Sequence, residues 1–288
     1  MKRTYIAEPL PPEFNALLLP PYQEATHGDW KLFKAPNIRV PVPAYFTHVA
    51  MMPAENWVLM KNHTIWMSLT PMEMQSQGHH ARLAHGHVVV MGLGMGALVY
   101  NLLANPLVTR IIVCEREADV VALLQVAAPW FGQAIQSGRL EIHIVDAFEY
   151  RPRGATPDVL LADIWAGMGT ERAEPDVLRI WRHVPARTVG WWGQELAAVS
   201  WIYGNYDKRN RFPMHRGHVK AYETYLGFDL IGGAHPQYPA MLKMAATSAT
   251  MAMKAESQMP PAEAALKILT DQCPGVIEHA IAELLKRE

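Results

Sequence analysis

Three glycines and two acids are the residues best placed to do chemistry. Gly92-Leu93-Gly94-Met95-Gly96 follows the β-branched run 87–91, and glycine lets a backbone approach a ligand without interference from a Cβ atom. The turn also opens a predicted helix, whose first N–H groups are unpaired and attract a carboxylate or phosphate. We therefore expect a nucleotide-like ligand here, although glycine turns also occur for purely structural reasons.

The two acids stand at the ends of the next predicted strands. Glu115 lies 23 residues after Gly92, a spacing at which a carboxylate can accept hydrogen bonds from both ribose hydroxyls. Asp146 ends the following strand, where it can accept from an exocyclic amine while Ala147 packs against the base. Either acid alone could equally cap a helix. The glycine turn and both acids at three successive strand ends predict an adenosine-bearing ligand.

The elements that position these residues alternate between strand and helix patterns. The strand patterns are HVVVM (87–91), RIIVCE (110–115), LEIHIVD (140–146), DVLLAD (158–163) and TVGWWG (188–193). Helix patterns lie near 97–104, 118–128 and 175–183. Because such crossovers are right-handed and cover both faces of a sheet, we predict an α/β fold with a doubly wound, Rossmann-like, mostly parallel sheet and helices on both faces.

The flanking segments define three predicted regions. Residues 1–70 are a proline-rich arm and a small β element, in which 56–69 has apolar strands around a polar turn and predicts a hairpin. Residues 71–255 are the Rossmann-like domain, entered through a helix that begins at Pro71. Residues 256–288 are a helical C-terminal tail, whose amphipathic stripe packs on this chain or on a partner subunit in a homodimer.

HVVVMGLGMG, RIIVCE, VDAF and DVLLAD resemble the class I S-adenosylmethionine-dependent methyltransferases over 87 to about 195, and the layout is most similar to the spermidine synthase-like branch. The resemblance implies that S-adenosyl-L-methionine is the cofactor. It places Gly92, Gly94 and Gly96 at the methionine part, Glu115 at the ribose, and Asp146 with Ala147 at the adenine. It also implies that Gln75, which follows the hairpin, lies near the methionine end.

The residues expected to bind the acceptor differ from those of the spermidine synthase-like branch. Spermidine synthases hold and deprotonate a polycationic amine with paired acids after the fourth strand, where this chain reads Asp163-Ile164-Trp165-Ala166-Gly167-Met168. The second acid is missing, which makes polyamine synthesis the less favoured prediction. Asp163 is the predicted catalytic base or acceptor anchor. Trp165 is predicted to form an apolar or cation-attracting wall, with a core aromatic as the alternative. The segment also lacks the Asn-Pro-Pro-aromatic pattern of enzymes that methylate nucleobase amines.

Other patterns bear on partners. His79, His80, His85 and His87 do not match the His-Glu-x-x-His spacing, and no reliably placed acid joins them, so we expect no metal site. A basic patch over 208–220 is interpreted as a solvated loop rather than a contact for RNA or an anionic acceptor, because 26 basic residues balance 27 acidic ones. The uncharged run 88–109 is broken by Gly and Pro, which favours a strand, turn and helix over a membrane span.

The sequence therefore predicts a cytoplasmic transferase that uses S-adenosylmethionine and most resembles a methyltransferase. Two widely separated cysteines and the absence of an apolar leader favour the cytoplasm. The acceptor is expected to be a small molecule or a protein side chain, with no membrane or nucleic-acid partner. An aminopropyltransferase, a nicotinamide-dependent oxidoreductase and a non-catalytic cofactor-binding scaffold remain as alternatives.

Overall fold

A computed structural model of the chain describes residues 10–37, 40–62, 64–206 and 213–258. The chain divides into two compact units, Met1–Ser248 and Ala249–Glu288. The first unit contains every strand of the described residues. Of the second unit, the structure describes the end of one helix, and the remainder of the predicted tail, 259–288, lies outside the described residues.

Short antiparallel strands form the first part of the chain, after a single 3-10 turn at Pro12–Phe14. They are β1 (Ala25–His27), β2 (Trp30–Lys34), β3 (Pro41–Ala44), β4 (His48–Met51), β5 (Trp57–Lys61) and β6 (Thr64–Ser68). One sheet has the order β1-β2-β5-β6, and β3 pairs with β4 in a separate hairpin. The predicted hairpin over 56–69 is confirmed, because β5 pairs with β6 around Asn62, which has a positive φ of 53°.

Two short helices replace the single helix predicted after the hairpin. The first, α1 (Pro71–Ser76), begins at Thr70, whose hydroxyl accepts a hydrogen bond from the Glu73 N–H. The second, α2 (Gly78–Leu83), follows after the single residue Gln77. Glu73 of α1 lines a cavity beside the parallel sheet, whereas His79 and His80 of α2 lie against Glu195.

The central region is the predicted parallel sheet with its crossover helices. Its elements are β7 (Gly86–Met91), α3 (Ala97–Ala104), β8 (Val108–Glu115), α4 (Ala118–Ala127), α5 (Pro129–Gln136), β9 (Leu140–Ile144), β10 (Val159–Ala162), α6 (Ala173–Trp181), β11 (Thr188–Trp191), α7 (Gln194–Tyr206), α8 (Arg216–Leu226), β12 (Asp229–Leu230) and α9 (Tyr238–Gln258). The strand order is β12-β11-β10-β7-β8-β9, and each neighbouring pair is parallel. This is the doubly wound arrangement that the sequence predicts.

Two hydrophobic cores, one on each face, hold the sheet. Successive residues of β7 alternate between them: Val88 and Val90 pack into the core with α3, α4 and α5, whereas Val89 and Met91 pack into the core with α6, α7 and α8. All four side chains are buried. A continuous β-branched run is therefore what a strand covered on both faces requires.

The structure differs from the predicted elements in its later half. The helix α5 was not predicted, and the strand expected over 225–233 shrinks to the two residues of β12. The reason is that α8 continues to Leu226 and ends at Gly227, which adopts a left-handed conformation with φ 87°. Part of the predicted basic loop, from Arg216 to Lys220, is accordingly helical, while 207–212 lies outside the described residues.

Among the described residues, no single helix is both long and apolar enough to cross a bilayer. The pair α4 and α5 meets the length and composition test only when the two are joined across a bend of 106°.

Candidate functional site

A crevice lies where the strand order of the parallel sheet reverses, between β7 and β10. The segments after these two strands separate there, because β8 and β9 extend the sheet in one direction and β11 and β12 in the other. Doubly wound folds place their ligands at this position, outside the carboxyl ends of the strands. Here the crevice holds a cavity of about 510 Å³, within the range of small-molecule sites.

The glycine turn forms the floor of this cavity between β7 and α3. Gly92 has φ 92°, and a Cβ atom there would lie 2.1 Å from the carbonyl oxygen of Asp163, so no larger residue fits. Gly94 has φ 52°, and its virtual Cβ would lie 2.6 Å from Sδ of Met67. The glycines thus permit the left-handed backbone and the close approach of two neighbouring segments.

Glu115, the last residue of β8, is fixed against this turn. Its Oε2 accepts a hydrogen bond from the Leu93 N–H at 2.9 Å, and its Oε1 accepts from the Glu117 N–H at 2.9 Å. The residue is 9% exposed and lines the cavity. Since a carboxylate oxygen can accept two hydrogen bonds, each oxygen keeps one acceptor position for a ligand hydroxyl.

Asp146 follows β9 and closes the next turn. Its Oδ1 accepts from the Phe148 N–H at 2.8 Å, and no donor among the described residues reaches its Oδ2. Ala147 is buried beside it, and both line the cavity. The ring of Phe148 carries the Arg179 guanidinium 4.5 Å from its centroid, which holds the ring in the cavity wall. An acceptor oxygen beside small apolar groups suits a planar base with an amino group.

Two carboxyl groups face the opposite side of the cavity. Asp163, directly after β10, accepts a hydrogen bond from the Gln77 side-chain amide at 2.7 Å. Burial raises the pKa of Asp163 to about 7, and the Gln77 hydrogen bond only partly offsets this. Burial and the neighbouring Asp163 charge raise the pKa of Glu73 well above its usual value. Asp163 is therefore poised to accept a proton near neutral pH, and Glu73 favours its protonated form more than an exposed glutamate does.

Aromatic rings complete the cavity wall around the two carboxyls. The Trp165 indole N–H donates to Asp176 Oδ2 at 3.0 Å, and the Trp192 indole N–H donates to the Ser76 hydroxyl at 3.0 Å. These hydrogen bonds fix the planes of both rings, and both residues line the cavity. Trp30 and Trp66 reach it from the N-terminal sheet, packed edge to face. Such a wall packs apolar groups and also attracts a cation.

The structure brings together most of the site residues predicted from the sequence. The predicted residues that line the cavity are Gly92, Gly94, Glu115, Asp146, Ala147, Asp163 and Trp165. Gly96 does not line it. With φ 73°, Gly96 instead forms the N-cap of α3, and its virtual Cβ points toward Trp130 and Leu124.

Gln75 also lies away from the cavity. Its side-chain oxygen accepts a hydrogen bond from the Phe46 N–H at 2.8 Å, and its amide donates to the Thr47 hydroxyl at 3.0 Å. Residues two apart on a helix point to nearly opposite sides, so α1 can turn either Glu73 or Gln75 toward the cavity. It turns Glu73, and the placement of Gln75 near the methionine end has no support in the structure.

Glu73, Trp192 and the N-terminal tryptophans are among the cavity residues that sequence reasoning missed. By sequence, Glu73 is only an acid near the start of a helix, where it favours the positive helix end. The signal that could have found Glu73 is its position two residues before Gln75. Because residues two apart on a helix point to nearly opposite sides, only one of these two side chains can face the cavity. Trp30 gives no such signal, because its approach to the cavity depends on how the N-terminal sheet packs.

No protein-family model matches the sequence, and no curated protein matches it significantly. Among solved structures, the chain is similar to a dimethyladenosine transferase from Plasmodium falciparum (20% identity, TM-score 0.25, 36% of this chain and 34% of that chain). It is also similar to spermidine synthase from Thermotoga maritima (18%, 0.31, 44% and 45%) and to a probable spermidine synthase from Corynebacterium glutamicum (16%, 0.34, 58% and 61%).

The first two matches span about a third and under a half of the other chains. Each likeness covers only part of the two chains. The fold predicted from the sequence is confirmed by the parallel sheet and its strand order.

Proposed function

We propose that this protein is an S-adenosylmethionine-dependent transferase, most simply a methyltransferase. The observation that carries the proposal is that residues following four adjacent parallel strands line one cavity: the glycine turn after β7, Glu115 at the end of β8, Asp146 after β9 and Asp163 after β10. We interpret the convergence of a glycine turn and three acids on one cavity as a ligand-binding site.

The residues present fit the proposed cofactor. Gly92 and Gly94 place the backbone of the turn in the cavity wall, and Glu115 keeps acceptor positions for ribose hydroxyls. Asp146 Oδ2 and the buried Ala147 suit an adenine amino group and ring. When bound, S-adenosylmethionine supplies an electrophilic methyl group next to a sulfonium. The chain's own contribution is to align the acceptor and exclude water from it, which can lower a barrier by about 7–11 kcal/mol.

The acceptor is proposed to lie between Asp163, Glu73 and the tryptophan wall. With a pKa of about 7, Asp163 is partly ionised at neutral pH and can take a proton from an attacking nucleophile. Trp165, fixed by Asp176, would pack against the acceptor and orient it. We retain a small molecule or a protein side chain as the proposed acceptor and the cytoplasm as the proposed location.

Calorimetric titration with S-adenosylhomocysteine tests the proposal. We expect Glu115→Ala and Asp146→Ala each to weaken binding by about 1–3 kcal/mol, because each removes an acceptor from a buried ligand. Glu149→Ala is the matched control, since this exposed acid lies three residues after Asp146 and outside the cavity. Wild-type protein that binds no S-adenosylhomocysteine, or unchanged affinity in both variants, contradicts the assignment.

Aminopropyl transfer is a second candidate, and one observation favours it. The sequence lacks the second acid after β10, but α1 brings Glu73 to the same cavity, where Asp163 raises its pKa. Two carboxyls and an aromatic wall suit a polycationic amine. Product analysis separates the candidates: incubation with a diamine and decarboxylated S-adenosylmethionine yields an aminopropylated amine only if the second is correct, whereas the ordinary cofactor yields methylated products.

A further inference from the structure

A second cluster of chemically active side chains lies outside the cofactor cavity. His79 and His80 of α2 meet Glu195, which lies in the first turn of α7 and 115 residues beyond His80 in the chain. Their exposures are 0%, 2% and 0%, and none of the three lines the cavity. The sequence expectation that no acid joins these histidines is therefore wrong, because the acid comes from a distant element that folding brings to them.

The geometry of the cluster is compact. His79 Nε2 lies 2.9 Å from Glu195 Oε1, and the centroids of the two imidazole rings are 4.3 Å apart. One ligand atom from each of the three residues lies within 4.8 Å of the other two. Because zinc–nitrogen and zinc–oxygen bonds are about 2.0–2.2 Å, ligand atoms around one ion lie about 3–4 Å apart. Shifts of less than about 1 Å would bring all three donors onto one ion.

The histidines lack the partners that buried polar groups normally have. His79 Nδ1 and His80 Nε2 make no hydrogen bond among the described residues, and His79 Nε2 contacts only the Glu195 carboxylate. Nearly all buried polar side chains in proteins are paired, so two unsatisfied nitrogens beside a buried carboxylate require an explanation. An ion coordinated by the three residues would give these buried groups a partner.

The carboxylate of Glu195 is, by contrast, firmly held. The Tyr45 hydroxyl donates to its Oε2 at 3.0 Å, and the Tyr238 hydroxyl donates to its Oε1 at 3.1 Å. Gln194 donates to the Tyr238 oxygen at 2.6 Å and thereby orients that hydroxyl. Such outer hydrogen bonds, which fix a ligating carboxylate and set its orientation, are a regular feature of metal centres.

We propose that His79, His80 and Glu195 bind a divalent transition-metal ion of the zinc class. Two imidazoles and one carboxylate are a common zinc ligand set, in which a water occupies the fourth position. The ion would fasten α2 to the start of α7.

The bound ion would also help to fix the position of one part of the cavity wall. Ser76, at the end of α1, accepts the hydrogen bond of Trp192, which follows β11 and precedes α7. An ion that ties α2 to α7 would fix the two segments on which Ser76 and Trp192 lie. The metal site is nevertheless independent of the proposed transferase function, since it would form whether or not a cofactor binds.

Metal uptake by the full-length protein tests the proposal. The chain is unfolded with guanidinium and a chelator, refolded with Zn²⁺ or Mg²⁺, dialysed against metal-free buffer and analysed by mass spectrometry of the elements. We expect about one zinc per chain and no retained magnesium, because magnesium prefers oxygen ligands and keeps its waters. Wild-type protein that recovers its native circular dichroism but retains no more zinc than a buffer blank overturns the proposal and leaves an ion pair between His79 and Glu195.

Variants locate the bound ion. His79→Ala and His80→Ala should each lower zinc affinity by at least about tenfold, whereas His85→Ala, an exposed histidine on the following loop, should leave it unchanged. Equal zinc retention in all three overturns the assignment. If the buried variants do not refold, wild-type protein refolded with Co²⁺ decides: intense visible bands of a four-coordinate ion support the site, and the weak bands of hydrated Co²⁺ contradict it.

Discussion

The Leu93 N–H donates a hydrogen bond to Glu115 Oε2 at 2.9 Å, so the acid at the end of β8 holds the glycine turn that follows β7. A second backbone donor, the Glu117 N–H, reaches the other oxygen at 2.9 Å. The carboxylate that is proposed to bind the ribose therefore also builds the ligand site. Loss of this side chain should affect the folded protein even before any ligand is added.

Glu115→Ala is expected to lower the free energy of unfolding by about 1–3 kcal/mol, because it leaves the buried Leu93 N–H without an acceptor. Asp146→Ala should lower it by less, about 0.5–1.5 kcal/mol, since its one hydrogen bond to Phe148 is only partly buried. Urea denaturation without ligand measures both. Equal losses in the two variants would show that the Leu93 contact has no special role.

The two cavity glycines should differ in their tolerance to alanine. Gly92→Ala places a Cβ atom 2.1 Å from the backbone oxygen of Asp163, and we expect it to destabilise the protein by more than about 2 kcal/mol through strain and collision. Gly94→Ala meets only the flexible end of Met67 and should cost less. Gly132→Ala, with no atom within 4 Å in the helix α5, is the control and should be neutral or stabilising. Thermal unfolding ranks the three.

Asp163 should make stability depend on pH. Its pKa rises from 3.8 to about 7 on folding, mainly through burial, so between these values the unfolded chain loses a proton that the folded chain keeps. Stability from this group therefore falls as pH rises from about 4 to about 7. Asp163→Asn should gain about 1–3 kcal/mol relative to wild type across that interval, after allowance for screening by cavity water. Parallel curves for both proteins, from urea denaturation at several pH values, would refute this.

Glu73 should control any response to a polycationic amine. We expect a diamine to raise the melting temperature of the wild-type protein in the presence of S-adenosylhomocysteine, because two carboxyls gain a positive partner. Glu73→Gln should remove most of this increase, while Glu149→Gln, an exposed change outside the cavity, should preserve it. A diamine effect that survives in Glu73→Gln would place amine binding elsewhere on the protein.

The central fold was predictable because its signals are local. Consecutive residues correctly predicted β7, the glycine turn and the helix α3. The strand was recognisable because strands covered on both faces are continuously apolar. The helix α5 was missed because Pro129 and Gly132 are typical of breaks, yet Pro129 occupies the first helical position, where proline is tolerated. The strand predicted over 225–233 failed because the helix α8 occupies its first residues.

The candidate site was predictable only where parallel strands carry residues to a common edge. Glu115, Asp146 and Asp163 follow such strands, and they line one cavity. Glu73 was missed because the direction of a side chain on α1 depends on how that helix packs. Glu195 was missed because no sequence pattern relates it to His79, and only the folded chain brings them within 2.9 Å.

Met67 links the N-terminal sheet to the glycine turn, since its Sδ lies 3.2 Å from the Met95 N–H and against Gly94. Met67 also lines the cavity, so a ligand that displaces this thioether would move β6 away from the turn. Occupation of the cavity and the position of β6 would then be coupled. Hydrogen exchange at Thr64–Ser68 would then report the filling of a site that belongs to a different sheet.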